Sequence, residues 1–286
     1  MTIADYLKLT RFPLVFTAMA DSAVGAALVG VNLLTCARAI PAVAASAFLY
    51  AGGMVMNDLC DRERDRTLHP ERPIPSGRVS TREATWFTLI LFIAALGVSM
   101  IAGLQAGIGA IVIVALICLY NRLLKHSAVT GSLGMAAVRG ANMAMGALAV
   151  GALPVSPEFP WIPIAVLSAY VFALTMWSTR EDQAGSRGYL AVIGAAMAWI
   201  PLASALKPAP WRWTALLPSL WIAPWVVRAL VRPERGRLMQ VIRWGVLGII
   251  VLDASFLAAL GRWTEAGVVA GLLIPALLLL PVFRKL

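Results

Sequence analysis

Ten long apolar segments are the feature of this 286-residue sequence that most limits its fold. An apolar stretch of about 18 residues or more can cross a bilayer as a helix. Hydrophobic residues make up 60% of the chain, charged residues only 13%, and the mean hydropathy is +0.81, which excludes a soluble domain. We therefore predict an all-α, multi-pass transmembrane helical bundle of nine to ten spans. The candidate spans are 12–34, 38–56, 84–103, 106–121, 128–151, 161–178, 189–206, 211–231, 239–260 and 264–283.

The lysines and arginines lie mostly in alternate connections between these spans. The net charge is +10, which in a soluble protein would suggest nucleic acid, but in a membrane protein it first reports orientation. On the side of the N-terminus lie 19 of the 24 basic residues. We therefore predict an integral membrane protein of the bacterial inner (plasma) membrane with a cytoplasmic N-terminus, a lipid bilayer as its surroundings and no nucleic-acid partner.

The polar connections are short. The longest runs over about residues 57–83, and the first apolar stretch is too long for the core of a signal peptide. We therefore predict a single integral-membrane domain over residues 1–286. Its polar loops of interest are 57–83 and 179–188.

Acidic residues are concentrated in the first of these loops, where residues 58–71 hold five of the fourteen in the chain. If the preceding helix continues past the membrane boundary, Asp58, Asp61 and Asp65 stand at positions i, i+3 and i+7, within an arc of about 60° on one face. Carboxylates at such spacings repel one another, so a cation is expected beside them. This stretch therefore marks a candidate site on the cytoplasmic side.

The chemistry of this cluster suits a magnesium–phosphate site. Mg²⁺ is commonly held by a few carboxylates together with substrate phosphates, and the guanidinium fork of arginine matches phosphate oxygens. The alternative is a solvated loop in which Asp and Arg pair with each other and the arginines only follow the positive-inside rule. The arginines available for phosphate are Arg62, Arg64, Arg66 and Arg72.

Two motifs resemble those of a known family. The pattern Asn57-Asp58-x-x-Asp61-x-x-x-Asp65, followed by Arg72-Pro-Ile-Pro-Ser-Gly-Arg78, resembles the first aspartate-rich motif of the UbiA superfamily of intramembrane prenyltransferases. The segment from Tyr120 to Lys125 resembles the family's Tyr-containing segment that ends in Lys. Within the superfamily, the chain looks closest to the divergent EboC-like branch.

The resemblance implies a helical bundle, usually of nine spans, that binds a prenyl diphosphate through Mg²⁺ held by two acidic motifs. It implies transfer of the prenyl group to a lipophilic or aromatic acceptor. The implied catalytic residues are Asp58, Asp61, Asp65 and Glu181. Those implied to hold the metal are Asn57, Asp58, Asp61, Asp65, Glu181 and Asp182. The implied contacts to the diphosphate are Arg72, Tyr120 and Lys125, and Arg180 is added to the substrate site.

The second acidic motif departs from the family pattern of two aspartates about four residues apart. Here Glu181 and Asp182 are adjacent, so on a helix they diverge by about 100° and would not both face one ion. We expect one of them, with preference for Glu181, to serve alone. The altered motif keeps open a non-catalytic prenyl-lipid-binding or metabolite-transport accessory protein. An alcohol phosphotransferase is disfavoured because its Asp-Gly…Ala-Arg signature is absent.

Asp21, Arg139, Asn142 and Asp253 lie inside predicted spans, where ionisable groups are costly and usually face the bundle interior. Arg139 and Asn142 stand at i and i+3 of one helix and could line the substrate cavity or polarise an acceptor. The alternative for Arg139 is a structural ion pair with Asp21. For Asp253 we favour a structural role.

Overall fold

The computed structural model describes residues 2–179, 187–206 and 209–285 and is helical throughout, with no strand in those ranges. Four short 3₁₀ helices interrupt or extend the α-helices, at Phe12–Leu14, Leu124–His126, Ile200–Leu206 and Arg212–Ala215. The α-helices are α1 Ile3–Leu9, α2 Val15–Leu28, α3 Ala39–Cys60, α4 Arg62–Leu68, α5 Thr81–Ala102, α6 Leu104–Arg122, α7 Ala128–Ala149, α8 Trp161–Ser178, α9 Arg187–Trp199, α10 Leu216–Val231, α11 Arg235–Ala259, α12 Trp263–Gly271 and α13 Leu273–Lys285.

The predicted all-α membrane bundle is confirmed. Among the described residues, eight helical segments are long and apolar enough to cross a membrane, and Phe12–Leu28 is a shorter apolar one. Helix α7 is also 22 residues long and occupies the position of the predicted span 128–151, but it is not among those eight. Its interior carries Arg139 and Asn142, which lower its hydropathy.

The first span is shorter than the predicted 12–34. Helix α2 ends at Leu28, and Gly30 follows with φ +98°, a left-handed conformation that breaks the helix. Beyond the turn, the side chain of Asn32 accepts a hydrogen bond from the backbone N–H of Leu34 at 2.9 Å. Arg262 reaches the same turn and donates to the carbonyl oxygen of Val31 at 2.6 Å. Arg262 also donates to the carbonyl oxygen of Ala27, in the last turn of α2, and so supplies a hydrogen bond that the end of this helix lacks.

Local signals position the other helices near the acidic loop. Ser80 caps α5, because its hydroxyl accepts from the backbone N–H of Glu83 while the Glu83 carboxylate accepts from the backbone N–H of Ser80. Gly103, with φ +140°, separates α5 from α6. The 57–83 connection is therefore not a simple loop, since α3 runs to Cys60 and α4 occupies Arg62–Leu68.

Outward faces of the bundle are strongly apolar. On α5, Ile90, Ile93 and Ile101 are 59%, 68% and 74% exposed, although isoleucine is normally buried in water-soluble folds. Large contiguous apolar surfaces of this kind mark contact with lipid or a partner. The polar residues lie on the opposite faces, and one cavity among α2, α3, α6 and α7 collects several of them.

Helices α2 and α7 approach each other closely because glycines lie where they cross. A Cβ atom on Gly25 would come within 1.9 Å of the carbonyl oxygen of Met143, and one on Gly146 within 1.9 Å of the carbonyl oxygen of Ser22. Both positions therefore exclude any side chain at this spacing of the two backbones. Small residues at helix crossings give membrane bundles their close packing.

Candidate functional site

The three aspartates of the first acidic motif lie along one nearly continuous helical path. Asp58 lies in the last turn of α3, Asp61 at the junction and Asp65 in α4. The helical hydrogen bonding crosses the junction, because the backbone N–H of Asp61 donates to Asn57 at 2.9 Å and that of Asp65 donates to Asp61 at 2.8 Å. The three side chains are therefore held on one side of the chain, as their spacing predicts.

Each of these aspartates has a cationic partner from elsewhere in the chain. Lys125 Nζ lies 2.6 Å from Asp61 Oδ1. Arg72 Nη1 lies 2.7 Å from Asp65 Oδ2 and 3.9 Å from Asp58 Oδ1, and Arg11 Nη2 lies 3.4 Å from Asp58 Oδ1. Arg72 and Lys125 thus reach the cluster, and their contact with a diphosphate stays a prediction.

Burial makes these partners necessary. Asp58 and Asp65 are only 5% and 4% exposed, and a buried carboxylate without a partner is strongly unfavourable. Arg72 sits between the two, within ion-pair distance of both. Three carboxylates therefore face three cations, and the cluster is close to electrically neutral.

Other arginines of this connection face away from the cluster. Arg62 and Arg66 both pair with Glu63, at 3.3 and 2.6 Å, and all three side chains are about half exposed or more. Arg64 is exposed as well. Of the four arginines considered for phosphate, only Arg72 reaches the aspartates.

A salt bridge fastens the far end of the acidic connection to the N-terminal helix. Arg78 Nε donates to Asp5 Oδ1 at 2.9 Å, and Arg78 Nη2 donates to the carbonyl oxygen of Glu71 at 2.7 Å. The backbone N–H and the hydroxyl of Thr2 also donate to Asp5, and together with Arg78 they lower its pKa. The segment that carries Arg72 is thereby held against α1.

A cavity of about 120 Å³ opens beside the aspartate cluster. It follows α3 from Asn57 back to Ser46, eleven residues and therefore about 16 Å at 1.5 Å per residue. Most of the wall is apolar, with polar groups at the Asn57 end and again near Ser46. Its lining residues are Arg11, Ala18, Ser46, Leu49, Tyr50, Gly53, Met54, Asn57, Ile113, Ile117, Tyr120, Asn121, Met135, Val138, Arg139 and Asn142.

Tyr120 and Lys125 meet the aspartate cluster from the end of α6. Tyr120 lines the cavity, and Lys125 Nζ also lies 3.5 Å from the amide oxygen of Asn57. The two predicted motifs, which lie more than fifty residues apart in sequence, therefore form one end of the same cavity.

Sequence reasoning missed two contributors to this site. Arg11 is one of the 19 basic residues that indicate orientation, and the sequence gives it no other role, yet it lines the cavity and pairs with Asp58. Tyr50 lies seven residues before Asn57, so helical periodicity from Asn57 could have found it, together with Ser46 and Gly53 on the same face.

Arg139 and Asn142 lie at the inner part of the cavity wall and also bind α2. Arg139 Nη2 donates to Asp21 Oδ1 at 2.8 Å and to the carbonyl oxygen of Thr17 at 2.9 Å. Asn142 Nδ2 donates to the carbonyl oxygen of Ala18 at 2.8 Å and to Asp21 Oδ2 at 3.2 Å. The Asp21–Arg139 pair considered from the sequence therefore exists, and Arg139 contacts the cavity as well.

The donor chemistry of the cluster fits a hard divalent cation, since carboxylate and amide oxygens are the ligands that Mg²⁺ takes. In the described part of the chain, however, no three acidic, histidine or cysteine side chains converge closely enough to hold a metal ion. Two carboxylates, Asp58 and Asp65, do converge on Arg72 Nη1. The predicted second-motif residues Arg180, Glu181 and Asp182 lie outside the described residues.

Comparison with known proteins places this architecture in a family. The model of the UbiA prenyltransferase family matches residues 14–193. A digeranylgeranylglyceryl phosphate synthase from Ignicoccus hospitalis is 33% identical over 192 residues, which are 65% of this chain and 59% of that protein. Across eight such curated relatives, the matched stretch covers 37% to 63% of the relative's length.

Solved structures show the same fold. The apo structure of a UbiA homolog from Aeropyrum pernix K1 has a TM-score of 0.67 and 21% identity, covering 85% of this chain and 97% of that one. A UbiA homolog from Archaeoglobus fulgidus bound to GPP and Mg²⁺ has a TM-score of 0.61 and 16% identity, covering 90% and 99%. The EboC-like branch stays a prediction. The family model, which matches well over half of the chain, shows that it belongs to the UbiA prenyltransferase family.

Proposed function

We propose that this protein catalyses the Mg²⁺-dependent transfer of a prenyl group from an isoprenoid diphosphate to a lipophilic acceptor. The observation that carries the proposal is the convergence of Asp58 and Asp65 on Arg72 at one end of a largely apolar cavity. Family membership supports it, as do the relatives named digeranylgeranylglyceryl phosphate synthase and the Archaeoglobus homolog bound to GPP and Mg²⁺.

The metal would be held by oxygens of the first motif, with the second motif contributing from residues 181 and 182. When bound, Mg²⁺ would neutralise charge that develops on the departing diphosphate and so assist cleavage of the allylic C–O bond. The first-motif ligands proposed are Asn57, Asp58, Asp61 and Asp65.

The cations of the cluster would bind phosphate oxygens. Arg72 and Lys125 already reach the aspartate side chains, at 2.7 and 2.6 Å. A divalent cation on the aspartates would replace these two cations as counter-charge and leave them for the diphosphate. Arginine binds phosphate oxygens through two parallel N–H groups, and lysine acts as a point charge. Tyr120 and Arg180 complete the proposed diphosphate site.

The apolar wall of the cavity would hold the isoprenoid chain and exclude water from the reacting carbon. Leu49, Ile113 and Ile117 are buried, and they face the cavity between its two polar ends. Water exclusion matters because an allylic cation that meets water gives a free alcohol instead of the transfer product. The acceptor would then approach from the side of Arg139 and Asn142.

The named relatives support a choice of acceptor, because their name describes a glyceryl phosphate that carries geranylgeranyl groups. A glyceryl phosphate lipid is therefore the first acceptor to test, and a phenol the second. The cytoplasmic position of the site is supported by the 19 basic residues on its side of the predicted topology. A bacterial plasma membrane stays a prediction.

Purified protein with Mg²⁺ and prenyl diphosphates of graded length, supplied with each acceptor in turn, tests the proposal. We expect pyrophosphate release and a prenylated product by mass spectrometry, both lost on chelation of the metal. Asp61→Ala should abolish release, whereas Glu63→Ala, an exposed acid close by in the sequence, should not change it. Tight binding of a prenyl diphosphate without product would instead support the non-catalytic accessory protein.

A further inference from the structure

A second polar cluster lies inside the bundle, where α2 meets α7 and α11. It consists of Asp21, Arg139, Asn142 and Asp253. Both aspartates are 0% exposed, Asn142 is 4% and Arg139 is 7% exposed. Ionisable groups at this depth are costly and persist only when they serve a purpose.

The charges of this cluster do not balance if every group is ionised. Each carboxyl oxygen of Asp21 has one partner, because Oδ1 accepts from Arg139 at 2.8 Å and Oδ2 accepts from Asn142 at 3.2 Å. Asp253 then adds a second negative charge, while Arg139 is the one cation that contacts the cluster among the described residues.

Groups on the neighbouring helices do not supply another cation. On α3, Tyr50 lines the same cavity as Arg139, and on α8 the hydroxyl of Tyr170 donates to the carbonyl oxygen of Gly245. On α12, Glu265 pairs with Arg262 at 2.5 Å. The excess negative charge therefore has to be neutralised within the cluster itself.

The surroundings of the Asp253 carboxyl group indicate how the excess negative charge is neutralised. Neither of its carboxyl oxygens receives a hydrogen bond from a donor in the described part of the chain. Its carboxyl group does lie within hydrogen-bonding range of the Asp21 carboxyl. Ionised carboxylates only accept hydrogen bonds, so this contact is favourable only when one of the two carries a proton.

We propose that Asp253 is protonated and donates its proton to Asp21, so that the pair carries a single negative charge. That charge balances Arg139, and the shared proton fixes Asp21 in the orientation that holds Arg139 and Asn142 against the inner end of the cavity. Asp253 is thus a positioning residue that acts through Asp21, and the proposal does not depend on prenyl transfer.

A metal ion in place of the proton is disfavoured by the geometry. Cations such as Ca²⁺ and Mg²⁺ require about six oxygen ligands or retain several waters. Both oxygens of Asp21 already accept from Arg139 and Asn142. A proton needs only one oxygen on each side.

Infrared difference spectroscopy of the purified protein at pH 7 tests the proposal. The usual Asp pKa is about 3.9, so an ordinary aspartate carries no proton at this pH. We expect a protonated-carboxyl C=O band in the wild type that Asp253→Asn removes. The side-chain amide that this substitution introduces still donates to Asp21, so the melting temperature should change by less than about 3 °C.

Asp21→Asn gives the second readout. With Asp21 neutral, Asp253 should lose its proton to balance Arg139, so the same band should disappear although Asp253 is intact. The proposal is overturned if the wild type has no band at pH 7 that depends on Asp253, if the band survives in Asp21→Asn, or if added Na⁺ or Mg²⁺ removes it. None of these results requires turnover, so they stand apart from the test of prenyl transfer.

Discussion

The molecule contains two clusters of aspartate and arginine that differ in how their cations meet water. At the mouth of the cavity, the side chains of Arg11 and Arg72 are 40% and 31% exposed. Inside the bundle, the side chain of Arg139 is 8% exposed and that of Asp21 is fully buried. The same pair of functional groups is therefore partly hydrated in one place and dry in the other.

This difference decides what each cluster can do. A partly exposed cation can exchange its carboxylate for water or for another anion at little cost to itself, as long as the buried carboxylate gains another cation, such as a metal ion. A buried cation that loses its partner leaves an uncompensated charge in a medium of low dielectric constant. The cavity mouth is therefore suited to ligand exchange, and the inner cluster to holding helices in place.

The largest expected effect comes from breaking the inner cluster. Arg139→Met leaves Asp21 without its cation and should lower the free energy of unfolding by about 3–5 kcal/mol. Unfolding by SDS in mixed micelles measures the change. The matched control is Arg66→Met, which breaks the exposed 2.6 Å pair with Glu63 and should leave stability unchanged. Equal losses in the two variants would contradict the contrast between the clusters.

The second-largest expected effect is a loss of activity when an aspartate at the cavity mouth, the end that carries Asp58, Asp65 and Arg72, is changed. Asp65→Asn removes one charge from the proposed metal ligands and should lower the turnover rate about 100-fold, which corresponds to about 2.7 kcal/mol. Stability should fall little, because Arg72 remains hydrated. Steady-state pyrophosphate release measures the rate, with Glu63→Gln on the same helix as the control. A variant that loses stability but keeps its turnover rate would show that Asp65 is structural.

A smaller effect is expected where the inner cluster depends on close helix packing. Gly25→Ala places a Cβ against the carbonyl oxygen of Met143 and should cost about 1–3 kcal/mol through separation of α2 and α7. Gly97→Ala on α5 meets no atom within 4 Å and should be neutral or slightly stabilising. The same SDS titration compares the two, and no difference between them would argue against close packing as the cause.

The smallest effect concerns the salt bridge that fastens the acidic connection to α1. Because the folded pKa of Asp5 is lowered from 3.8, its stabilising contribution is present above that value and is lost as the pH falls through the lowered pKa. Asp5→Asn should therefore lower the melting temperature at pH 6 but not at pH 2. A deficit of the same size at both values would show that the charge of Asp5 is not responsible.

The local spacing of residues in the sequence was enough to predict part of the candidate site. Helical spacing placed Asp58, Asp61 and Asp65 along one path, and the backbone hydrogen bonds through Asp61 show why. It could not reveal that Arg11 pairs with Asp58 across 47 residues of chain, because that contact depends on the position of α1 and α2 relative to α3. The order of the spans could also be predicted from the hydropathy of the sequence. The end of α2 at Leu28 could not, because it depends on the turn at Gly30 and on Arg262.

The sequence by itself determined that this chain is a helical membrane bundle with an acidic site at its basic side. Hydropathy over about 18 residues and a spacing of three to four residues are local properties, so they can be read without the fold. Only the tertiary structure decided which cation forms an ion pair with which aspartate. Arg139 and Asp21 are 118 residues apart and meet because Gly25 and Gly146 let two helices touch. Such a contact is set by the packing of whole helices, and no stretch of sequence contains it.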